Sequence, residues 1–165
     1  DKFDGWLNHS RLGYNYRIDE IRSALGLVQL GKLSQGNARR RGLTGRYWRG
    51  LASAALRGIE LPFAGAQGES SNHILPVLLP EGVDRPPFMD AMREAGIQTS
   101  IHYPPVHQFS YYRGRYPDVS VPVTERLAAR EVTLPLYPTM SDEQVDMVLT
   151  AAAIALAIAR AEKNA

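Results

Sequence analysis

Two segments of this sequence carry residue types that could do chemistry, and a third could bind anions. The first is residues 13–17, Gly-Tyr-Asn-Tyr-Arg, which run directly into Ile18, Asp19, Glu20 and an amphipathic stretch. Asp19 is placed to cap a helix, because its carboxylate can accept first-turn N–H groups that lack an intrahelical partner. Glu20 adds negative charge where the helix dipole favours it. Backbone donors, the Asn15 amide and the Arg17 guanidinium at one helix start suit a phosphate. The same residues equally suit plain capping and surface charge, with Arg17 as a structural ion-pair partner. Tyr14 and Tyr16 either wall such a site or pack beside the helix start.

The second segment is residues 101–107, Ile-His-Tyr-Pro-Pro-Val-His. His102 ends an extended piece, and the two prolines after Tyr103 stiffen the loop that carries His107. These groups can meet a ligand, or each histidine can simply satisfy one backbone hydrogen bond. The spacing from His102 to His107 is not that of a helical histidine pair, and no carboxylate cluster accompanies it. No metal site is expected. His73 opens an apolar run and reads as a half-buried structural residue. His9 sits in a leading loop where the sequence says little.

The third feature is Arg39, Arg40, Arg41, Arg46 and Arg49. On a helix these side chains fan around the circumference instead of forming one stripe. That pattern fits a solvated, salt-bridged helix face. The net charge of +2 is too mild to argue for nucleic acid. Tyr47 and Trp48 read as core or interface residues.

The elements that must position these groups follow from periodicity. Ile18, Ile21, Leu25 and Val28 repeat at three- and four-residue steps, the mark of one buried helical face. Helical composition persists to Leu51, although Gly31, Gly36, Gly42, Gly45 and Gly50 weaken it by up to ~1 kcal/mol each. Residues 59–62 form a short extended piece, and residues 64–71 a surface loop. Residues 73–79 are an apolar run bounded by polar residues and proline, the pattern of a buried strand. Pro86 and Pro87 stand at a helix start and Gly96 at its stop. Residues 97–101 alternate like a strand. Residues 104–120 are irregular, and Val123, Leu127 and Ala128 mark a short helix. Residues 132–136 return as a strand. Ser141 and Gln144 spell a capping box, and Val145 through Ala159 an amphipathic helix. Strands and helices in this order predict an α/β (α+β) two-layer sandwich.

Composition sets further bounds. A length of 165 residues suits one compact domain. The absence of cysteine excludes disulfides, thiolate nucleophiles and cysteine metal sites. No basic-then-apolar leader opens the sequence. The longest uncharged apolar stretch, residues 147–159, is shorter than the ~20 residues a membrane helix needs. A cytoplasmic protein with no membrane and no nucleic-acid partner is expected.

Three segments in order resemble one family. Residues 13–30 (Gly-Tyr-Asn-Tyr-Arg-Ile-Asp-Glu-Ile-Arg-Ser-Ala-Leu-Gly-Leu-Val-Gln-Leu), residues 101–107, and residues 134–143 (Leu-Pro-Leu-Tyr-Pro-Thr-Met-Ser-Asp-Glu) are similar to the pyridoxal-phosphate-dependent sugar-nucleotide aminotransferases of the DegT/DnrJ/StrS group. The resemblance covers residues 6–160 but only the C-terminal part of the family's usual length. It implies the small C-terminal domain of a fold-type I aminotransferase over residues 59–165, preceded over residues 1–58 by the cofactor loop and a long linking helix, all one compact unit. It implies a cofactor-binding set of Asn15, Arg17 and Tyr16: Asn15 reaches the phosphate of pyridoxal 5'-phosphate bound by the neighbouring subunit of a homodimer, Arg17 sits in the same dimer-bridging loop, and Tyr16 walls the site. It implies that His102, Tyr103 and His107 face a sugar-nucleotide substrate. The family's Schiff-base lysine and the aspartate partner of the pyridine nitrogen lie upstream of the Gly-Tyr-Asn-Tyr-Arg segment. Lys2, Lys32 and Lys163, the only lysines, have no matching context, so no residue here is assigned a catalytic role. The implied function is amino transfer from an amino acid, typically glutamate, to a keto-sugar nucleotide. The isolated chain is expected to be inactive, with the missing large domain or a second subunit as its partner. The alternative is a stand-alone, non-catalytic binding or assembly protein of aminotransferase descent.

Overall fold

The computed structural model describes residues 12–62, 65 and 67–162. The leading loop with His9, and also Lys2 and Lys163, lie outside the described residues. The chain forms two compact units, Asp1–Ser34 and Gln35–Ala165.

The first unit carries residues 12–19 without regular structure and then the start of α1 (Glu20–Leu51). The capping expected of Asp19 is present: its Oδ1 accepts the Arg22 N–H at 2.8 Å. The Asp19 carbonyl accepts the Ser23 N–H at 3.0 Å, the first helical bond. The expected buried face is not buried. Ile18, Ile21, Leu25 and Val28 are 69%, 76%, 62% and 57% exposed. Periodicity encodes an apolar face, but burial needs a surface to meet it, and the described residues supply none.

In the second unit, the remaining part of α1 buries Leu43, Tyr47 and Leu51 at four-residue steps. A 3₁₀ turn over Ala54–Leu56 follows. The sheet has two strands, β1 (Leu75–Leu78) and β2 (Glu131–Leu134), paired antiparallel with Leu75 opposite Leu134 and Leu78 opposite Glu131. Single bridges extend it on both sides: Glu60 to Leu78 and Ser100 to Thr133. Residues 97–101, expected as a strand, thus contribute one bridge only. The chain reaches it from a tight helix end, where Gly96 adopts φ +76°. Its N–H bonds the Arg93 carbonyl and the Ile97 N–H bonds the Met92 carbonyl, both at 2.9 Å. These are the two bonds of a Schellman stop, which requires a left-handed residue.

That stop ends α2 (Arg85–Glu94), which buries Phe88 and Met92. A 3₁₀ turn (Val106–Gln108) and a short α3 (Ser110–Arg115) lie within the segment expected to be irregular. Bonds from Arg113 N–H to Phe109 O and from Tyr116 N–H to Tyr112 O close α3 despite Gly114. Next come α4 (Pro122–Arg130), β2, and α5 (Asp142–Glu162). The capping box forms: Ser141 N–H donates to Gln144 Oε1 at 2.9 Å, and Gln144 N–H to Ser141 Oγ at 3.2 Å.

One core unites these elements, with Tyr47, Leu79, Phe88, Met92, Val132, Val145, Ala152 and Leu156 buried in it. α5 packs on α2. At 21 residues and mean hydropathy 1.5, α5 is long and apolar enough to cross a membrane on length and composition alone. The 147–159 count missed this because flanking residues lengthen the helix. Its buried face, Val145, Val148, Ala152, Ala155 and Leu156, explains the composition as that of a core helix. Within the arginine cluster Arg39, Arg41 and Arg46 form salt bridges, as expected, while Arg40 donates to the Asn37 amide oxygen. Arg46 Nε donates to Asp146 Oδ1 at 2.9 Å, and Arg39 Nη2 to Asp142 Oδ1 at 2.8 Å.

Candidate functional site

Each unit carries its own candidate groups. In the first, the orientation of the Asn15 amide that satisfies its surroundings turns Oδ1 to accept from Arg17 Nε at 2.8 Å and Nη2 at 3.2 Å. In that orientation the amide nitrogen is a donor, as are the guanidinium N–H groups not spent on Asn15. Tyr14 and Tyr16 stand 84% and 85% exposed, ring centroids 6.0 Å apart. The Asp19 carboxylate already occupies the first-turn Arg22 N–H. Asp19 thus takes one of the first-turn backbone donors that the sequence alone offers to a phosphate.

In the second unit, a cavity of about 600 Å³ opens beside the sheet. His73, Ser100, His102, Tyr137, Gln144 and Met147 line it, among others. His73 is exposed, not half-buried, because the strand begins two residues later at Leu75. It shares the cavity with His102, a meeting that sequence spacing could not show.

The sheet register positions His102. Ser100 pairs with Thr133, so in an antiparallel arrangement the residue two beyond Ser100 stands opposite the residue two before Thr133. That pair is His102 and Glu131, and the His102 N–H donates to Glu131 Oε2 at 2.9 Å. Glu131 and Thr133 are two apart on β2 and share a face. The Thr133 hydroxyl donates to Glu131 Oε1 at 2.5 Å, and His102 Nδ1 lies 2.8 Å from Thr133 Oγ1. Sequence reasoning missed both Glu131 and Thr133. The available signal was their period-two spacing on a strand.

Tyr103 is 74% exposed, its ring edge-on to His102 at 4.8 Å. The peptide bond between them is cis. His107 is elsewhere engaged: its Nε2 lies 2.8 Å from Glu125 Oε1. The same oxygen accepts the Val121 N–H at 3.2 Å. These two bonds, the backbone one first, hold the Glu125 carboxyl below the usual glutamate range. Of the three residues expected on the substrate side, His102 lines the cavity; Tyr103 and His107 do not. No group of three or more metal-ligating side chains occurs among the described residues.

The model of the DegT/DnrJ/EryC1/StrS aminotransferases matches residues 2–153. The chain belongs to this family. Solved structures share the fold. The aminotransferase PseC of Helicobacter pylori, involved in pseudoaminic acid biosynthesis, superposes with a TM-score of 0.80 at 23% identity, over 91% of this chain and 40% of its own. DesV of S. venezuelae is 31% identical with a TM-score of 0.77, over 90% of this chain and 39% of its own. The putative sugar aminotransferase Spr1654 of Streptococcus pneumoniae, solved in its PLP form, is 25% identical with a TM-score of 0.77, over 91% of this chain and 38% of its own. The chain thus spans about two-fifths of the length of these relatives. For a member of this aminotransferase family the donor set at Asn15 and Arg17 fits the phosphate of pyridoxal phosphate: a planar guanidinium and a carboxamide, both exposed, with the amide oxygen turned away by its own partner.

Proposed function

We propose that this chain is the C-terminal portion of a pyridoxal-phosphate enzyme that moves an amino group from an amino acid, glutamate by preference, to a keto-sugar nucleotide. The observation that carries the reading is the Asn15–Arg17 pair at the capped start of α1, within a family match that spans residues 2–153. Pyridoxal phosphate, when bound, supplies the electron sink for amino transfer. Asn15 and Arg17 donate to its phosphate in the neighbouring subunit of a homodimer, and Tyr16 walls that site. His102, Tyr103 and His107 serve the substrate side: His102 from the cavity, Tyr103 as an exposed ring, and His107 by anchoring the loop through Glu125. The lysine that carries the cofactor comes from the large domain, so this chain alone is inactive. The exposed stripe of Ile18, Ile21, Leu25 and Val28 supports a large domain or second subunit as the partner. The whole enzyme works in the cytoplasm.

The first test is the mass of the native polypeptide that carries this sequence, expected well above the 18.3 kDa of this chain. The second is activity. That polypeptide, with pyridoxal phosphate, glutamate and a keto-sugar nucleotide, is expected to release 2-oxoglutarate. Asn15→Ala is expected to lose the cofactor on dialysis faster than the parent. A native mass of 18.3 kDa, or transamination by this chain unaided, would overturn the reading.

A further inference from the structure

The bonds around His102 carry a consequence for its protons. A carboxylate has no hydrogen to give, so Glu131 accepts from both its partners, the His102 N–H and the Thr133 hydroxyl. The hydroxyl of Thr133 has one proton, and that proton is spent on Glu131 Oε1 at 2.5 Å. Toward His102 the Thr133 oxygen can therefore only accept. The ring nitrogen 2.8 Å away, Nδ1, must carry the hydrogen in that contact. In the neutral imidazole this leaves Nε2 with a bare lone pair. No hydrogen bond to Nε2 occurs among the described residues, and His102 lines the 600 Å³ cavity.

We infer that Glu131 and Thr133 are positioning residues that fix His102 as its Nδ1–H tautomer and present Nε2 as an acceptor. The relay is built into the sheet. The Ser100–Thr133 bridge sets His102 opposite Glu131, and the pleat puts Glu131 and Thr133 on one face. Thr133 is 6% exposed, so water does not compete freely for its hydroxyl. A ring held in this way recognises a donor: a hydroxyl or amine of the bound molecule, not a carbonyl or phosphate oxygen. That the donor is a sugar hydroxyl rests on the proposed function; the tautomer itself does not.

The test is nitrogen NMR on the full chain labelled with ¹⁵N-histidine and free of ligand, at alkaline pH where imidazole is neutral. The His102 signals are identified by their loss in His102→Gln. The expected result is a protonated Nδ1 and an unprotonated Nε2, the reverse of the form that predominates in free histidine. Thr133→Val keeps the side-chain shape and removes both bonds, and is expected to return His102 to a majority of the Nε2–H form. Should that variant not fold, Glu131→Ala frees the Thr133 proton to point at the ring and is expected to shift the population the same way. An Nε2–H tautomer in the parent chain, or an unchanged tautomer in the folded variants, overturns the inference. Both readings are independent of any substrate, so a failure here is distinct from a failure of the aminotransferase assay.

Discussion

The Tyr47 hydroxyl, on the buried face of α1, donates a 2.9 Å hydrogen bond to the Pro135 carbonyl just past β2. The residue has no exposed surface, and burial pushes its phenol far above the usual tyrosine value, so it is neutral and a donor at any ordinary pH. Proline's carbonyl is its single backbone hydrogen-bonding group, and this bond pins the chain where β2 turns toward Tyr137 and the cavity. Tyr47→Phe is expected to cost about 1 kcal/mol, because the carbonyl then lacks its partner. Urea denaturation of the two chains checks it; no change in midpoint would show that the bond is replaced by water.

The glycines of α1 are not equivalent. A Cβ at Gly50 would stand 2.3 Å from Leu149 Cδ1 and 3.1 Å from its Cγ, whereas a Cβ at Gly42 meets nothing within 4 Å. Gly42→Ala is expected to stabilise by up to ~1 kcal/mol through helix propensity alone. Gly50→Ala forces the whole Leu149 side chain to shift and is expected to destabilise by about 1 kcal/mol net. Thermal unfolding of both variants should bracket the parent chain, one melting above it and one below.

Arg130 is the one described arginine that is buried, at 8% exposure. Its Nε donates to the Leu79 carbonyl at 2.6 Å, and its two terminal nitrogens reach Glu60 and Glu81. It joins the end of α4 to the chain beyond β1 and to the Glu60 bridge. Arg130→Met retains the aliphatic stem but leaves the Leu79 carbonyl without its guanidinium donor and Glu60 and Glu81 without their partner. A loss of about 2 kcal/mol is expected. A methionine variant as stable as the parent, by chemical denaturation, would show that packing and not these bonds holds the corner.

Glu125 gives a pH dependence with a definite sign. Its carboxyl is held low by the Val121 N–H and then by His107. A lowered folded value contributes stability that is fully present above the unfolded value and is lost as pH falls through the folded one. The parent chain is therefore expected to lose more stability than Glu125→Gln when titrated from neutral pH down through the glutamate range. Parallel losses in the two chains would remove this group from the acid response.

Much of the architecture was legible because it is local. Asp19, Gly96 and the Ser141–Gln144 pair each act within a few residues of themselves, so residue type and spacing suffice to place helix ends. The three motifs likewise identified the family, which needs only identities in order. Other features were misread because they depend on what comes near from elsewhere. The alternation at residues 97–101 gave no hint that a single residue would pair with β2. The 3.6-residue period of Ile18 to Val28 encoded an apolar face but not a surface to cover it.

The candidate sites divide the same way. Asn15 and Arg17 are two residues apart, and their pairing follows from sequence neighbours. His102 lies 29 and 31 residues from Glu131 and Thr133, and nothing in that spacing relates it to them. The sequence by itself determined which side chains this protein owns and where α1 and α5 start and α2 stops, since those choices rest on contacts within one turn. Tertiary structure alone decided which ring nitrogen of His102 is free, because that depends on a strand register, and a register is set by long-range backbone pairing.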